Sequence, residues 1–321
     1  MRIGDVVEGQ AVSEPVLDQP RVGVVGLGIM GSAMAAHLIA AGLHVTGYDI
    51  VQDKVDALVS GGGVGATSPA EVAGQSNIVV TSLATSDAVR AVVENSDGLA
   101  AGMQEGVVVD TCTMPLAVKE RARRRLAEVG VPMLDCTLSG TGAQAARRDL
   151  VVYASGDREP YERALPVLEA VSRSVRYLGE FGMGSKMKFA ANLLVAIHNV
   201  AAAEAFVLAR KAGLDPELLY EVITEGAGTS RMFEVRGPMM VADEYDEPSA
   251  RMSMFMKDVD TIDEFARSVG AALPLFSASI PVYTAALAQG RADQDPAAVH
   301  AVLMTWAGSG GIPSTRPETG P

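Results

Sequence analysis

Short runs of β-branched and other apolar residues alternate with stretches of helical period along the first half of the chain. The apolar runs predict strands at residues 22–25, 45–48, 78–81, 107–110, 132–135, 150–154 and 175–177. Helical periodicity separates several of these strands, at residues 32–41, 53–58, 88–93 and 116–128. This alternation predicts a parallel sheet with helices on both faces.

Strand signals almost vanish after Gly182, and helical patterns take their place. They cover residues 190–211, 217–223, 255–268, 276–288 and 297–307. The sequence therefore predicts an α/β protein in which a Rossmann-type domain, residues 21–182, precedes an all-α domain, residues 183–307. A long helix joins the two. Residues 1–20 and 308–321 lack periodicity, and we expect a loose N-terminal arm and a loose C-terminal tail.

The composition and net charge of the chain argue against several classes of binding partner. The 321 residues suffice for two domains, and 48% apolar with 20% charged residues is typical of a globular protein. An excess of 39 acidic over 26 basic residues gives a net charge of −13, which argues against nucleic acid or an anionic membrane as partner. Cys112 and Cys136 are too few for a disulfide framework, and no spacing indicates a metal site. No apolar run approaches the ~20 residues of a membrane span, so we expect a cytoplasmic protein.

The segment Gly26-Leu27-Gly28-Ile29-Met30-Gly31 follows the first predicted strand and opens a helix. In this setting the first glycine permits a tight turn, the second lets backbone approach a pyrophosphate, and the third lets helix and strand pack closely. Asp49 ends the second strand, 18 residues after Gly31, where an acid accepts hydrogen bonds from ribose hydroxyls and repels a 2′-phosphate. The pattern favours NAD over NADP, with a plain strand–helix turn as the alternative.

A second polar cluster, residues 182–192, lies at the start of the long predicted helix. Lys188 and Asn192 are one helical turn apart and project from the same face, whereas Lys186 lies on another. A lysine stacked on an amide beside a Gly-rich entry can bind and protonate a carbonyl oxygen. By spacing alone, a solvated lysine next to a helical asparagine is the simpler explanation.

Four motifs in chain order give the sequence a recognisable character. They are residues 22–31, residues 134–141 (LDCTLSGT), residues 182–192 (GMGSKMKFAAN) and residues 256–259 (MKDV), with smaller matches at residues 82–84 and 110–113. Together they resemble the β-hydroxyacid dehydrogenase family, which includes 3-hydroxyisobutyrate, tartronate-semialdehyde and L-threonate-type enzymes and is related to 6-phosphogluconate dehydrogenase. The resemblance extends from about Arg21 to Trp306.

This resemblance implies hydride transfer between NAD and the 3-hydroxyl carbon of a small β-hydroxy acid, such as 3-hydroxyisobutyrate or threonate. Lys188 would be the general acid/base and Asn192 would orient the substrate. Ser139, Gly140, Thr141 and Arg231 would contact the substrate. Cofactor contacts would come from Gly26, Leu27, Gly28, Ile29, Met30, Asp49, Leu83, Ala84, Thr113 and Lys257. The family also associates through its helical half, so we expect a homodimer or a larger even homo-oligomer.

The sequence departs from the family pattern in the loop and pocket positions that set specificity. Thr141 replaces a glycine, Ala191 an asparagine, and Arg231 the tryptophan usual in the threonate-type branch. Two alternatives remain at this point: a non-catalytic NAD-binding sensor or scaffold, and an imine-reductase-like NAD(P)H enzyme. Retention of Lys188, Asn192 and Ser139 together favours the dehydrogenase.

Overall fold

The computed structural model describes residues 20–308, so the predicted arm and tail lie outside the described residues except for Pro20 and Gly308. Eight strands form one sheet: β1 (Val22–Val25), β2 (Val45–Tyr48), β3 (Val64–Gly65), β4 (Ile78–Thr81), β5 (Val107–Asp110), β6 (Met133–Ser139), β7 (Val151–Ser155) and β8 (Ser174–Tyr177). Their order across the sheet is β3-β2-β1-β4-β5-β6-β7-β8. The Rossmann-type α/β fold class is confirmed.

Helices cover this sheet and then make up the second half of the described chain. Those of the first half are α1 (Ile29–Ala40), α2 (Gln52–Ser60), α3 (Pro69–Gln75), α4 (Ser86–Glu94), α5 (Leu99–Gly102), α6 (Leu116–Ala127), α7 (Gly142–Ala146) and α8 (Arg158–Val171). The second half contains α9 (Met183–Lys211), α10 (Pro216–Glu225), α11 (Arg231–Ala242), α12 (Met252–Ser268), α13 (Pro274–Ala288) and α14 (Val299–Trp306), with a 3₁₀ turn at Pro296–Ala298.

The sheet is not wholly parallel, contrary to the prediction. β7 runs antiparallel to β6, from Asp135 opposite Ser155 to Ser139 opposite Val151, while the other neighbouring pairs are parallel. A parallel return needs a crossover of a dozen or more residues, usually containing a full helix. Residues 140–150 provide only the five-residue α7, so the chain turns back at the same end of the sheet.

The centre of the sheet is buried on both faces. Every residue of β1, β4 and β5 is buried, which explains their continuous apolar runs. Helices α1 and α8 pack on one face of the sheet, and α3, α4 and α6 pack on the other. The carboxyl ends of β1, β4, β5 and β6 therefore meet at one edge, where doubly wound sheets bind their ligands.

Helix α9 connects the sheet to the helical half and begins seven residues earlier than predicted. Its first turn lies against β6 and β7, and only glycine fits there: a Cβ at Gly184 would lie 2.4 Å from the carbonyl oxygen of Tyr153 and 2.6 Å from that of Asp135. Further along, α9 presents Phe206 and other buried residues to a second core shared with α11–α14. The helix thus belongs to both cores.

Among the residues described, α9 is also long and apolar enough to cross a membrane by length and composition alone, with a mean hydropathy of 1.6. Of its most apolar window, 39% is buried inside the protein. A helix that is packed into two cores of a folded protein meets the same criteria of length and composition.

Candidate active site

The Gly-rich loop between β1 and α1 has the geometry of an anion cradle. Gly26 adopts a φ of +93°, and a Cβ there would lie 2.3 Å from the carbonyl oxygen of Ser82. A Cβ at Gly31 would lie 1.9 Å from the carbonyl oxygen of Gly26, so α1 can approach the loop only because residue 31 has no side chain. A Cβ at Gly28 would meet no atom within 4 Å. Gly28 therefore borders open space at the N-terminus of α1, which has no side-chain cap, and this arrangement fits a dinucleotide pyrophosphate.

Asp49 holds this loop from the end of β2. Its Oδ2 accepts a hydrogen bond from the Leu27 amide at 2.8 Å, and its Oδ1 accepts one from the Val51 amide at 2.9 Å. Lys54 Nζ lies 3.4 Å from both carboxylate oxygens. This lysine lies in the first turn of α2 and was not considered in the prediction from sequence. Asp49 is thus partly neutralised.

The other predicted cofactor residues lie on the neighbouring loops of the same edge. Ile29 is exposed and Met30 half-buried at the start of α1. Leu83 and Ala84 follow β4, and the Leu83 amide donates to Cys112 Sγ at 3.0 Å, which joins the loops after β4 and β5. Burial raises the pKa of the Cys112 thiol well above its usual range, which keeps it a neutral packing group rather than a nucleophile.

A polar chain connects the helical half with the loop after β5. Lys257 of α12 donates to the carbonyl oxygen of Thr113 at 2.5 Å and forms an ion pair with Asp258 at 3.0 Å. Asp258 Oδ2 in turn accepts a hydrogen bond from Asn192 Nδ2 at 2.8 Å. Two residues predicted for catalysis and cofactor binding are therefore joined through Asp258, whose role the sequence analysis did not assign.

Lys188 lies one turn before Asn192 on the same face of α9 and is half-buried. It makes no hydrogen bond or ion pair with another residue in the range 20–308. Burial lowers its pKa, the nearby Asp258 carboxylate works in the opposite direction, and the Lys257 ammonium lowers it further. A free amine with a depressed pKa can exchange a proton with a substrate near neutral pH.

The predicted substrate loop follows β6 and reaches the cofactor loop. Ser139 ends the strand and Gly140 adopts a φ of +143°. Thr141 forms a capping box with Gln144: its hydroxyl accepts from the Gln144 amide, and the Gln144 side chain accepts from the Thr141 amide. A Cβ at Gly142 would lie 2.5 Å from Ile29 Cγ2, so this loop packs on the first turn of α1.

The ion pair of Arg231 does not connect it to the other predicted site residues. It is the first residue of α11, its side chain is 70% exposed, and it forms an ion pair with Glu234 at 3.1 Å. Its predicted role toward the substrate stays a prediction.

A cavity of about 510 Å³ opens beside the contact between Lys257 and Thr113. The loops after β4 and β5 line it on one side and α12 on the other, with Ser86, Met114, Ser253 and Asp260 among the lining residues. Room for a ligand therefore exists where the two halves of the chain meet.

Lys119 of α6, a fully buried charged group of this edge, was not predicted from the sequence. Its ammonium lies 2.8 Å from Asp110 Oδ2 and 2.5 Å from Asp135 Oδ1, and all three side chains are 0–1% exposed. The signal was present: Lys119 shares one face of α6 with Ala122 and Leu126, both of which are buried.

Comparison with known proteins agrees with this geometry. Residues 21–179 match a family described as the NAD binding domain of 6-phosphogluconate dehydrogenase. Residues 182–303 match a family described as NAD-binding of NADP-dependent 3-hydroxyisobutyrate dehydrogenase.

Individual relatives cover nearly the whole chain. An L-threonate dehydrogenase from Cupriavidus necator is 38% identical over 280 residues, which is 87% of this chain and 94% of that protein. Among solved structures, 3-hydroxyisobutyrate dehydrogenase from Salmonella typhimurium is 33% identical with a TM-score of 0.81, covering 88% of this chain and 100% of the other. A Mycobacterium tuberculosis 3-hydroxyisobutyrate dehydrogenase, solved with L-serine, is 29% identical with a TM-score of 0.80 and covers 89% and 99%. The chain therefore belongs to the β-hydroxyacid dehydrogenase family of NAD(P)-dependent oxidoreductases.

Proposed function

We propose that this protein transfers a hydride between NAD and the 3-hydroxyl carbon of a small β-hydroxy acid, with Lys188 as general acid/base. One observation carries the proposal: a half-buried lysine with a depressed pKa lies one turn from Asn192, which Asp258 connects to the Lys257–Thr113 contact at the cofactor edge. Threonate- and 3-hydroxyisobutyrate-type relatives support the substrate class.

In the oxidation direction, neutral Lys188 accepts the proton of the substrate hydroxyl as the C–H bond breaks. Bound NAD supplies the hydride acceptor. In the reverse direction the Lys188 ammonium returns the proton to the carbonyl oxygen. Asn192, held by Asp258 at 2.8 Å, keeps its amide fixed so that it orients the substrate oxygen near the lysine.

The substrate carboxylate fits the end of β6. The Ser139 hydroxyl and the Gly140 amide supply hydrogen-bond donors at the carboxyl edge of the sheet. Thr141 shapes this loop through its capping box, in which its hydroxyl oxygen accepts from the Gln144 amide and its amide donates to the Gln144 side chain. The hydroxyl proton remains available to the substrate, so we propose that Thr141 contacts the substrate as well as shaping the loop. Arg231 would need to leave Glu234 to reach an anionic substrate.

For the cofactor, we propose NAD as the preferred dinucleotide. The Gly28 cradle would hold the pyrophosphate, and Asp49 would accept hydrogen bonds from the adenosine ribose. Residues 21–182 would form the NAD-binding domain and residues 183–307 the domain that contributes Lys188 and the subunit contacts.

The decisive experiment combines a substrate panel with paired lysine variants. NADH formation is followed with a set of 3-hydroxy acids, including threonate and 3-hydroxyisobutyrate. Lys188→Ala should lower kcat by about 10²- to 10⁴-fold with little change in NAD affinity. Lys186→Ala is the matched control, since Lys186 is exposed two residues away on another face of α9. Near-normal turnover by Lys188→Ala would refute the assignment.

We further propose a homodimer or larger even homo-oligomer in the cytoplasm. Helix α10 has no buried residue, although Leu218 and Val222 lie on it at 54% and 60% exposure. Leu208, near the end of α9, and Leu214, in the following turn, are exposed as well, at 71% and 54%. A second copy of the chain would cover exposed apolar side chains of this kind. Light scattering at micromolar concentration tests it, and a monomer would contradict it.

A further inference from the structure

Lys119 joins three segments of the sheet edge through one ammonium group. It contacts Asp110 at the end of β5, Asp135 within β6 and the carbonyl oxygen of Cys112 at 2.8 Å. It also donates to Ser185 Oγ at 3.3 Å, in the first turn of α9. Burial works against the lysine charge, but the carboxylates of Asp110 and Asp135 outweigh it and hold the pKa of Lys119 above its usual value. The two carboxylates therefore favour the charged form of Lys119.

The sheet supplies the N-terminal cap that α9 lacks in its own sequence. Gly182, the residue before the helix, makes no side-chain cap. Instead Ser155 Oγ accepts from the Gly184 amide at 2.9 Å, and Asp135 Oδ2 accepts from the Ser185 amide at 2.7 Å. The Ser185 hydroxyl donates to Asp135 Oδ1 at 2.9 Å. Because a carboxylate favours the positive end of a helix, Asp135 fixes where α9 begins.

Each segment held by Lys119 continues directly into a proposed site residue. Cys112 is followed by Thr113, the partner of Lys257. Asp135 lies four residues before Ser139 on the same strand. Ser185 lies three residues before Lys188 on a continuous helix, so a shift of the helix start moves the amine with it.

We propose that Lys119, with Asp110, Asp135 and Ser185, positions the active site by fixing the loop after β5, the substrate strand and the start of α9 relative to one another. The inference rests on the proposed function for the identity of Lys188 as the proton-transfer group. Lys119 is fully buried and bonded to its four partners, so it acts through them and is a positioning residue.

Electrostatics favour positioning over stabilisation as its role. The desolvation cost of a buried ion pair roughly cancels the attraction between its charges. Apolar side chains of similar volume at these positions would therefore stabilise the protein to a similar extent. What an apolar core would not supply is a set of directed bonds from one atom to three chain segments. Asp135 also faces the positive end of the 29-residue helix α9, where its Oδ2 accepts from the Ser185 amide.

The test uses Ser185→Ala, which removes one hydroxyl and leaves all three charges and the Ser185 amide in place. Lys119→Met is the second, more severe variant. Ser279→Ala is the matched control, because Ser279 is also buried and its hydroxyl donates within its own helix, to the carbonyl oxygen of Phe276. Melting temperature, kcat and the KM values for NAD and substrate are measured on the full chain.

Ser185→Ala should lower kcat about tenfold or more with the KM for NAD within about twofold, since small displacements of reacting groups lower turnover steeply. Ser279→Ala should leave kcat unchanged. A lower melting temperature with unchanged kcat in Ser185→Ala would show a purely structural role and overturn the proposal. If Lys119→Met does not fold, the result for Ser185→Ala decides.

A second readout is independent of turnover. The pH midpoint for modification of Lys188 by an amine-directed reagent is followed by peptide mass spectrometry in wild type and variants. Asp258 and Lys257 on α12 act on the Lys188 amine, while Asp135 on β6 and Lys119 on α6 lie at the start of α9, and all four remain in Ser185→Ala. A displaced Lys188 regains solvent, so its midpoint should rise in Ser185→Ala and stay unchanged in Ser279→Ala. If the wild-type protein shows no turnover with any substrate, the proposed function is refuted, but the modification midpoint of Lys188 still tests the positioning role. An unchanged midpoint in Ser185→Ala would overturn the positioning proposal.

Discussion

Replacing Gly28 by alanine tests ligand binding by the Gly-rich loop without changing the fold of that loop. Gly28 has φ −70° and ψ −169°, which alanine adopts without strain, and a Cβ there meets no atom within 4 Å. Two small effects of opposite sign follow. Alanine lowers the conformational entropy of the unfolded chain, which stabilises the folded protein by about 0.4–1 kcal/mol. Alanine is also less favourable than glycine at the N-cap of a helix, which destabilises the protein by a similar amount. We expect a melting temperature within about 3 °C of wild type.

Cofactor affinity should change much more. The methyl group would occupy the space above the N-terminus of α1 where the pyrophosphate approaches, and would separate it from the loop amides. Hydrogen bonds to charged groups contribute about 1.5–3 kcal/mol each, so the loss of one raises the Kd for NAD by about 10- to 100-fold. Calorimetric titration with NAD measures this change, and differential scanning fluorimetry measures the stability.

Two other glycines calibrate the experiment. Gly226 ends α10 in an extended conformation, and a Cβ there would lie 3.5 Å from the nearest atom, so Gly226→Ala should change neither quantity. Gly31→Ala, with its Cβ 1.9 Å from the Gly26 carbonyl oxygen, should lower both stability and affinity. An unchanged Kd for NAD in Gly28→Ala would mean that the pyrophosphate does not lie over Gly28.

Three further predictions address proton transfer, cofactor choice and assembly. Asp258→Asn removes the negative charge that raises the pKa of Lys188; this pKa should fall, and since oxidation needs the neutral amine, the rise of kcat/KM with pH should move to lower pH, as a pH–rate profile will show. An upward shift would contradict this reasoning. Lys54→Ala removes the cation beside Asp49, so the kcat/KM ratio of NAD to NADP should increase by about three- to tenfold; an equal or smaller ratio would exclude a contact with a 2′-phosphate. Leu218→Glu should shift the assembly toward monomer in analytical ultracentrifugation while preserving the circular dichroism spectrum, because Leu218 is 54% exposed within the protomer.

The central strands were predictable because each is buried on both faces and reads as an uninterrupted apolar run. The β3 strand was not, since its two residues Val64 and Gly65 are on the sheet edge and only partly covered. Helix α11 was also missed. It contains Gly237 and Pro238, both unfavourable within a helix, and a Cβ at Gly237 would lie 2.6 Å from Tyr220 Cδ2, so packing outweighs propensity there.

The candidate site was predictable where a motif has a local cause. The glycines of the loop after β1 and the stacked pair Lys188 and Asn192 follow from backbone geometry and helical spacing. Asp258 and Lys119 were not assigned roles, because a charged residue reads as solvated until its partners are known. Those partners lie 66 residues from Asp258 and 16 residues from Lys119 along the chain, at Asn192 and Asp135.

The antiparallel step between β6 and β7 has a consequence for how such enzymes diversify. A parallel crossover must carry the chain to the opposite end of the sheet, which ties its length to a packed helix. Here the connection between the two strands leaves and re-enters the sheet at one end, and only α7 lies within it. Lengthening such a connection costs little, since loop-closure entropy grows only with the logarithm of length. Insertions or deletions between α7 and β7 therefore leave the packing of Gly142 on the first turn of α1 in place, so that substrate range can evolve while the dinucleotide cradle stays fixed.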